Sequence, residues 1–130
     1  MKNSVRFTDR ASSAIKSARD AAASLGHSYV GTEHLLLGVA AQTESLGARV
    51  LASLGLDMAG LTRSVIAVSG SGAPGGPEQG FTANGRSALE HASQDARALG
   101  HGYVGTEHIL LAILRVPGSA GLRALDCAGV

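Results

Sequence analysis

The residues best suited to chemistry lie in two short segments, in each of which a threonine, a glutamate and a histidine follow one another. These segments are Thr32-Glu33-His34 and Thr106-Glu107-His108. A hydroxyl, a carboxylate and an imidazole could bind a polar ligand, ligate a metal ion or serve in acid-base catalysis. Because no nucleophile, base and orienting group recur together in the chain, the sequence predicts a binding protein and not an enzyme.

Four of the five histidines form two pairs, and the members of each pair are seven residues apart. A zinc site usually draws on closer spacing along one helical face or on cysteine ligands, and the chain has one cysteine, Cys127. We therefore predict no metal site and no cofactor. We interpret the paired histidines as hydrogen-bonding residues of loops and helix starts, and His91 as a solvent-facing helix residue. The pairs are His27 with His34 and His101 with His108.

The two segments belong to an internal duplication with an offset of 74 residues. Residues 26–34 and 100–108 agree at eight of nine positions, and residues 7–37 and 81–111 agree at 17 of 31. Identity of this extent over one fixed offset indicates a tandem repeat. The four aromatic residues of the chain fall into pairs at the same offset, Phe7 with Phe81 and Tyr29 with Tyr103.

The spacing of apolar residues predicts four helices in the first copy. Alanines and isoleucine at intervals of three and four form one face of a long helix, which Gly26 ends. A short apolar helix follows, with Glu33 in its first turn, and two further helices complete the unit. The caps that we assign to these helices are Thr8 or Asp9, Thr32, Ser45 and Asp57.

The second copy contains counterparts of the first three helices only. The sequence therefore predicts an all-α fold, a tandem pseudo-twofold repeat of four-helix units in which the second repeat lacks its last helix. Small side chains should let the alanine-rich long helices pack closely. Five glycines and two prolines between the copies indicate a flexible linker. We predict a single domain over residues 1–130, with repeat 1 at about 7–68, the linker at 69–80 and repeat 2 at about 81–130.

The composition narrows the class of partner. The formal net charge is +1 and 16% of the residues are charged, so no basic surface for nucleic acid or for an acidic membrane is predicted. No stretch approaches the roughly 20 apolar residues that cross a bilayer, and the N-terminus lacks the apolar region of a signal peptide. A single cysteine suits a reducing compartment, and we predict a cytoplasmic protein.

The doubled motif carries a family resemblance. Arg6-Phe7-Thr8 near the start, Gly-His-x-Tyr-Val-Gly-Thr-Glu-His occurring twice, and Phe81-Thr82 at the start of the second copy resemble the double Clp repeat. This repeat stands at the N-terminus of the Clp/Hsp100 AAA+ unfoldases, and the similarity is closest to the ClpC type over nearly the whole chain. No GxxxxGK[ST] motif occurs, so we do not expect this chain to hydrolyse ATP by itself.

The resemblance implies a receptor for substrates and adaptors that delivers client proteins to an ATP-driven unfoldase working with the ClpP protease. In ClpC-type domains the glutamate of the Gly-Thr-Glu-His motif belongs to two sites for phosphorylated arginine, a degradation mark in some Gram-positive bacteria. The matching residues here are Glu33 and Glu107. A helix start can bind the phosphate and a carboxylate can accept the guanidinium hydrogens. We assign these glutamates to two pockets, one in each repeat, together with Thr8, Thr82, Thr32 and Thr106.

Less specific interpretations stay open for each of these residues. The two glutamates could be ordinary first-turn acids and the threonines ordinary caps. Phe7 and Phe81 should anchor the helix entries to the core, although the same neighbourhood receives cyclic-peptide antibiotics in the resembled family. Tyr29 and Tyr103 should pack the turns of the repeats, with stacking on a ligand as the alternative.

Two other functions remain as alternatives. A free-standing Clp-repeat protein could act as an adaptor, or as a decoy that binds marked clients or cyclic-peptide antibiotics. A DNA-binding helix-turn-helix protein could also combine short helices with glycine turns. The net charge of +1 and the absence of a helix lined by lysine and arginine count against DNA binding.

Overall fold

The computed structural model describes residues 6–74 and 79–130, which contain seven helices. Residues 75–78 of the predicted linker lie outside the described residues. The described fold is all-α, as the sequence predicts, and it also has two strands of two residues each. In chain order the elements are β1 (Arg6–Phe7), α1 (Asp9–Ser24), α2 (Thr32–Ala41), α3 (Leu46–Ser53), α4 (Met58–Ser69), α5 (Ala83–Ala98), β2 (Tyr103–Val104), α6 (Thr106–Leu114) and α7 (Ala120–Cys127).

The first three helices of the two repeats begin at equivalent positions, and two of the three pairs also end at equivalent positions. Helices α1 and α5 both have 16 residues, and α3 and α7 both have 8. The Thr8 hydroxyl accepts a hydrogen bond from the Ala11 amide at 3.0 Å, and the Thr82 hydroxyl accepts one from the Gly85 amide at 2.9 Å. The same capping chemistry therefore starts both long helices, as predicted.

The short apolar helices start differently from the prediction. Gly31 is the N-cap of α2, and Thr32 is its first helical residue. The Thr32 hydroxyl instead accepts a hydrogen bond from the Gly121 amide of α7 at 2.8 Å. In the mirrored position the Thr106 hydroxyl accepts one from the Gly47 amide of α3 at 2.9 Å. Each threonine therefore holds the first turn of a helix from the other repeat instead of capping its own.

The chain entering each repeat pairs with a loop of the other repeat. Strand β1 runs parallel to β2, with Phe7 opposite Val104, and a single parallel bridge joins Phe81 to Val30. The Thr8 amide donates to the Val104 carbonyl at 2.9 Å, which aligns the start of α1 with the loop before α6. The sequence did not predict these strands, because two residues are too few to produce a period-two pattern.

The centre of the fold is α2, of which every residue except Ala41 is buried. Helix α1 lies against it through four alanines on one face. A Cβ atom at Gly38 would lie 2.0 Å from the Ala14 carbonyl oxygen, so this approach of two backbones requires glycine. Among the described residues no single helix is long and apolar enough to cross a membrane. Helices α3 and α4 reach that length and apolar character only when taken together, and the chain bends by 84° between them.

Helix α4 makes the two halves unequal. It packs against α2 and α7, and no helix follows α7 in the described part of repeat 2. Leu37 on α2 is 2% exposed, whereas its counterpart Leu111 on α6 is 53% exposed. Leu99 and Leu114 are exposed beside it and line an apolar cavity with it. An apolar face on α5 and α6 is therefore open to solvent where repeat 1 is covered.

The hydrogen bonds between the repeats should contribute measurably to stability. We expect Thr32→Val and Thr106→Val each to lower the free energy of unfolding by about 1 to 3 kcal/mol, because each leaves a buried amide without an acceptor. Urea unfolding would measure the change. Thr43→Val, at an exposed position, is the control and should change little. A loss at Thr32 or Thr106 no larger than at Thr43 would contradict this role.

Candidate functional site

A cavity of about 430 Å³ lies between the repeats, where the first turns of three helices meet. Thr8 caps α1, Ser45 caps α3 and Gly105 caps α6. Helix starts carry unpaired amide hydrogens and a partial positive charge, so their convergence favours a negatively charged group. We call this cavity the Glu107 site; it is lined by Thr8, Asp9, Arg10, Glu44, Ser45, Leu46, Tyr103, Gly105, Thr106 and Glu107.

The glycine before α6 determines the position of the Glu107 carboxylate. A Cβ atom at Gly105 would lie 2.3 Å from Glu107 Oε1, so the side chain folds back over backbone that carries no side chain. Its side chain is 26% exposed, which leaves the carboxylate accessible from the cavity. The Gly105 amide is not available to a ligand, because it donates to His108 Nδ1 at 2.8 Å.

Tyr103 packs against the turn before α6, as predicted, and its ring contacts His101 and His108. It is also 43% exposed. Its ring stacks on His101, with ring centroids 5.3 Å apart and planes within 3°, and it lines the Glu107 site. An exposed tyrosine at a cavity rim can contact a ligand through both its ring and its hydroxyl. Its position packs the turn and also leaves one part of the side chain facing the cavity.

The pseudosymmetric position in repeat 1, which we call the Glu33 site, contains Glu33, Gly31 and Thr82. A Cβ atom at Gly31 would lie 2.2 Å from Glu33 Oε1 and 3.5 Å from the Thr82 methyl group. The Glu33 side chain is only 11% exposed, and its Oε2 atom accepts a hydrogen bond from the Ser69 hydroxyl at 2.8 Å. The two sites thus share a framework and differ in how open they are.

Each site is built from both repeats, which corrects the expectation of one pocket in each repeat. Thr8 of repeat 1 lies in one cavity with Glu107 of repeat 2, and Thr82 of repeat 2 lies beside Gly31 of repeat 1. The reason is the parallel pairing of each entering segment with the loop of the other repeat. A comparison of the copies aligns Thr8 with Thr82, but it contains no information on which copy each threonine faces.

The sequence reasoning missed the charged residues of the Glu107 site. Asp9 and Arg10 follow the Thr8 cap directly, and Glu44 precedes the Ser45 cap. Their counterparts at the offset of 74 are Ala83, Asn84 and Gly118, which carry no charge. The capping threonine and serine are the same in both repeats, but their charged neighbours occur only in repeat 1. This difference between the copies was the signal that could have identified the charged residues as members of one site.

The paired histidines form a hydrogen-bonded chain, which confirms their assignment to loops and helix starts. His34 Nδ1 accepts from the Gly31 amide at 2.9 Å, so its hydrogen lies on Nε2, which is 2.7 Å from His27 Nδ1. His27 Nε2 then donates to the Gly70 carbonyl at 2.9 Å. Burial lowers the pKa of His34 below its ordinary 6.5; the Glu33 charge raises the pKa and His27 lowers it.

Phe7 and Phe81 lie together in a second cavity, of about 600 Å³, on another face. Both are partly buried and pack against the core, as the prediction of an anchoring role requires. The Arg19 guanidinium lies 5.2 Å from the centre of the Phe81 ring. No group of three or more histidine, cysteine, aspartate or glutamate residues is placed to hold a metal ion within residues 6–74 and 79–130.

The fold and the cavity together define a class of protein, a duplicated helical domain with a cavity of about 430 Å³ between its repeats. The chain belongs to the Clp repeat (R) N-terminal domain family, which matches residues 6–128. This result confirms the resemblance seen in the doubled motif.

Curated relatives contain this domain as a small part of a longer chain. The protein is 38% identical over 125 residues to the chaperone protein ClpB of Oceanobacillus iheyensis, covering 96% of this chain and 16% of the relative. It is also 38% identical over 125 residues to the negative regulator of genetic competence ClpC/MecB of Bacillus subtilis, covering 96% of this chain and 15% of the relative. The chain thus spans about one sixth of the length of these relatives.

Solved structures support the fold independently. The N-terminal domain of the caseinolytic protease associated chaperone ClpD from Arabidopsis thaliana superposes with a TM-score of 0.77 at 24% identity. The match covers 93% of this chain and 83% of that structure. The N-terminal domain of Hsp104 from Candida albicans gives a TM-score of 0.69 at 18% identity, over 95% of this chain and 92% of that one.

The lowered pKa of His34 should make stability depend on pH. The unfolded chain binds a proton near the ordinary pKa of 6.5, whereas folded His34 resists it. We therefore expect the free energy of unfolding to be highest above that pH and to fall as the pH decreases through 6.5 toward the lower folded pKa. Urea unfolding between about pH 5 and about pH 8 would measure the slope.

The variant His34→Asn isolates this effect, because the asparagine oxygen can still accept the Gly31 hydrogen bond while the side chain does not titrate. We expect it to flatten the slope relative to the unchanged protein. The control is His91→Asn, at a half-buried position on α5 outside the histidine chain. Equal slopes in all three proteins would exclude His34 as a source of the pH dependence.

Proposed function

We propose that this domain recognises client or adaptor proteins for a Clp/Hsp100 unfoldase by binding phosphorylated arginine side chains at the Glu107 site. The observation that carries the proposal is the cavity in which the Glu107 carboxylate and the first turns of three helices face the same space. A phosphorylated guanidinium needs an acceptor for its N–H groups within a few ångströms of an anion site. The Glu107 site offers both.

The roles of the lining residues follow from their chemistry. The Glu107 carboxylate accepts the guanidinium hydrogens in charge-assisted hydrogen bonds. The Thr8 hydroxyl already accepts from the Ala11 amide, and its own hydrogen can be donated to a phosphate oxygen. Arg10, the second residue of α1, lines the cavity and supplies its positive side-chain charge. The exposed Tyr103 ring lies where it can cover the ligand.

The side-chain charges that line the Glu107 site indicate which ligand would compete with phosphoarginine. Asp9 and Glu44 add two carboxylates to that of Glu107, against the one guanidinium of Arg10. Three carboxylates favour an unmodified arginine side chain, while the helix starts favour the phosphate. Free arginine is therefore the control ligand that decides whether the phosphate is recognised.

Thr32 and Thr106 have another role in this proposal than direct ligand contact. Both hydroxyls are buried and accept amide hydrogens from helices of the other repeat. They hold α3 and α7 in register with the site, so we treat them as positioning residues. Thr82 has the same relation to the Glu33 site as Thr8 has to the Glu107 site.

Two cellular settings suit such a domain, both of them in the cytoplasm. The names of two curated relatives, the chaperone protein ClpB and the competence regulator ClpC/MecB, favour a receptor domain of a Clp chaperone. A free-standing adaptor or decoy would use the same pocket to bind marked clients, with the Phe7 and Phe81 cavity as the surface for a cyclic-peptide antibiotic. Adding the domain to a reconstituted Clp protease separates them, because a decoy slows degradation of marked clients.

The central test is calorimetric titration with phosphoarginine. We expect binding by the unchanged protein, much weaker binding of free arginine, and weak competition by inorganic phosphate, because both halves of the ligand are needed. Glu107→Gln keeps the shape and removes the charge. It should weaken binding by about 5- to 150-fold, which corresponds to about 1 to 3 kcal/mol.

The matched control for this change is Asp20→Asn, which removes one carboxylate from the exposed side of α1. It should leave the affinity unchanged within about twofold. Unaltered affinity in Glu107→Gln would refute the assignment of that residue. Equal affinity for arginine and phosphoarginine would instead replace the phosphorylated ligand by a simple basic side chain.

A second test moves the carboxylate without removing it. In Gly105→Ala the new methyl group would meet Glu107 Oε1, which must swing away because it is the end of a flexible side chain. Gly105 has a φ of −100°, which alanine tolerates, so the melting temperature should change little. We expect at least a tenfold loss of phosphoarginine affinity, which is about 1.4 kcal/mol. Gly102→Ala, where a Cβ atom meets nothing within 4 Å, is the control.

A further inference from the structure

The segment that follows α4 lies across the Glu33 site. Ser69, the last residue of α4, donates its hydroxyl hydrogen to Glu33 Oε2 at 2.8 Å. The equivalent carboxylate, that of Glu107, is the acceptor that we propose for the guanidinium hydrogens of a ligand. The hydroxyl therefore occupies a position that a ligand hydrogen would need.

Two more contacts fix this segment, which we define as residues 69–73 and call the strap. The Gly70 carbonyl accepts a hydrogen bond from His27 Nε2 at 2.9 Å, at the end of the histidine chain. The Gly72 amide donates to the Leu25 carbonyl at 2.8 Å. A Cβ atom at Gly26 would lie 2.6 Å from the Ala73 carbonyl oxygen, so the strap lies directly on the loop before α2.

The Glu107 site is more open than the Glu33 site. Its glutamate is 26% exposed, against 11% for Glu33. The side-chain charges do not favour phosphate at the open site, because Arg10 corresponds to Asn84 while the acidic Asp9 and Glu44 correspond to Ala83 and Gly118. The difference in exposure is therefore the observation that sets the two sites apart.

We propose that the strap keeps the Glu33 site closed through Ser69, so that the domain takes one phosphoarginine, at the Glu107 site. The choice of ligand rests on the proposed function, whereas the closure rests on the hydrogen bonds alone. Ser69 is then a specificity-determining residue. It converts a duplicated domain with two equivalent frameworks into a receptor with a single working site.

The test uses variants that release the strap without touching either glutamate. Ser69→Ala removes the hydrogen bond to Glu33. Gly72→Pro removes the amide that bonds to Leu25, at an exposed position where a Cβ atom meets nothing within 4 Å. The matched controls are Ser71→Ala in the same segment and Gly72→Ala, which keeps the amide.

Calorimetry and amide-resolved NMR would follow phosphoarginine binding in these proteins. We expect the unchanged protein and both controls to bind one equivalent, with shifts at the Gly105 and Glu107 amides. The double variant Ser69→Ala, Gly72→Pro should bind two equivalents and add shifts at Gly31 and Glu33. Two equivalents in the unchanged protein, or one in the double variant, would overturn the inference.

A measurement without ligand separates closure from the identity of the ligand. Hydrogen exchange of the Gly72 amide should be slow in the unchanged protein and in Ser71→Ala, and at least about tenfold faster in Ser69→Ala. If phosphoarginine binds to none of the variants, the proposed function fails, and the exchange rates still decide the closure. Equal Gly72 exchange in the unchanged protein and Ser69→Ala would show that Ser69 does not hold the strap.

Discussion

The exchange of hydrogen bonds between the two repeats is the constraint on which the rest of the structure depends. The buried hydroxyls of Thr32 and Thr106 each accept an amide hydrogen from the first turn of a helix in the other repeat. The entering segments pair in the same crossed manner, Phe7 with Val104 and Phe81 with Val30. Because a buried amide without an acceptor is costly, these contacts determine how one repeat docks on the other.

The same reciprocal hydrogen bonds between the repeats also bring together the groups that line the sites. Crossing the repeats brings helix starts from both copies to one place, and helix starts present amide hydrogens and positive charge. Glycine at the cap of α6 then lets Glu107 fold back over the backbone, so that its carboxylate lies in the cavity where the helix starts meet.

Divergence of the copies adds a difference in access. Helix α4 and the strap cover repeat 1, where Leu37 is buried and Glu33 is bonded to Ser69. In repeat 2 the equivalent leucine, Leu111, and the Glu107 carboxylate are both more exposed. The two copies thus differ in exposure at both the apolar face and the polar site within the residues that the structure describes.

The sequence by itself determined the helices, their caps at Thr8 and Thr82 and the identity of the family, because helical periodicity, capping and a doubled motif are local signals. The placement of Thr8 in one cavity with Glu107, the buried partner of Thr32 and the hydrogen bond between Ser69 and Glu33 were decided only by the tertiary structure. These contacts join residues far apart in the chain. A repeat offset aligns equivalent residues, but it cannot show which copy supplies the partner, since that depends on how the two repeats dock.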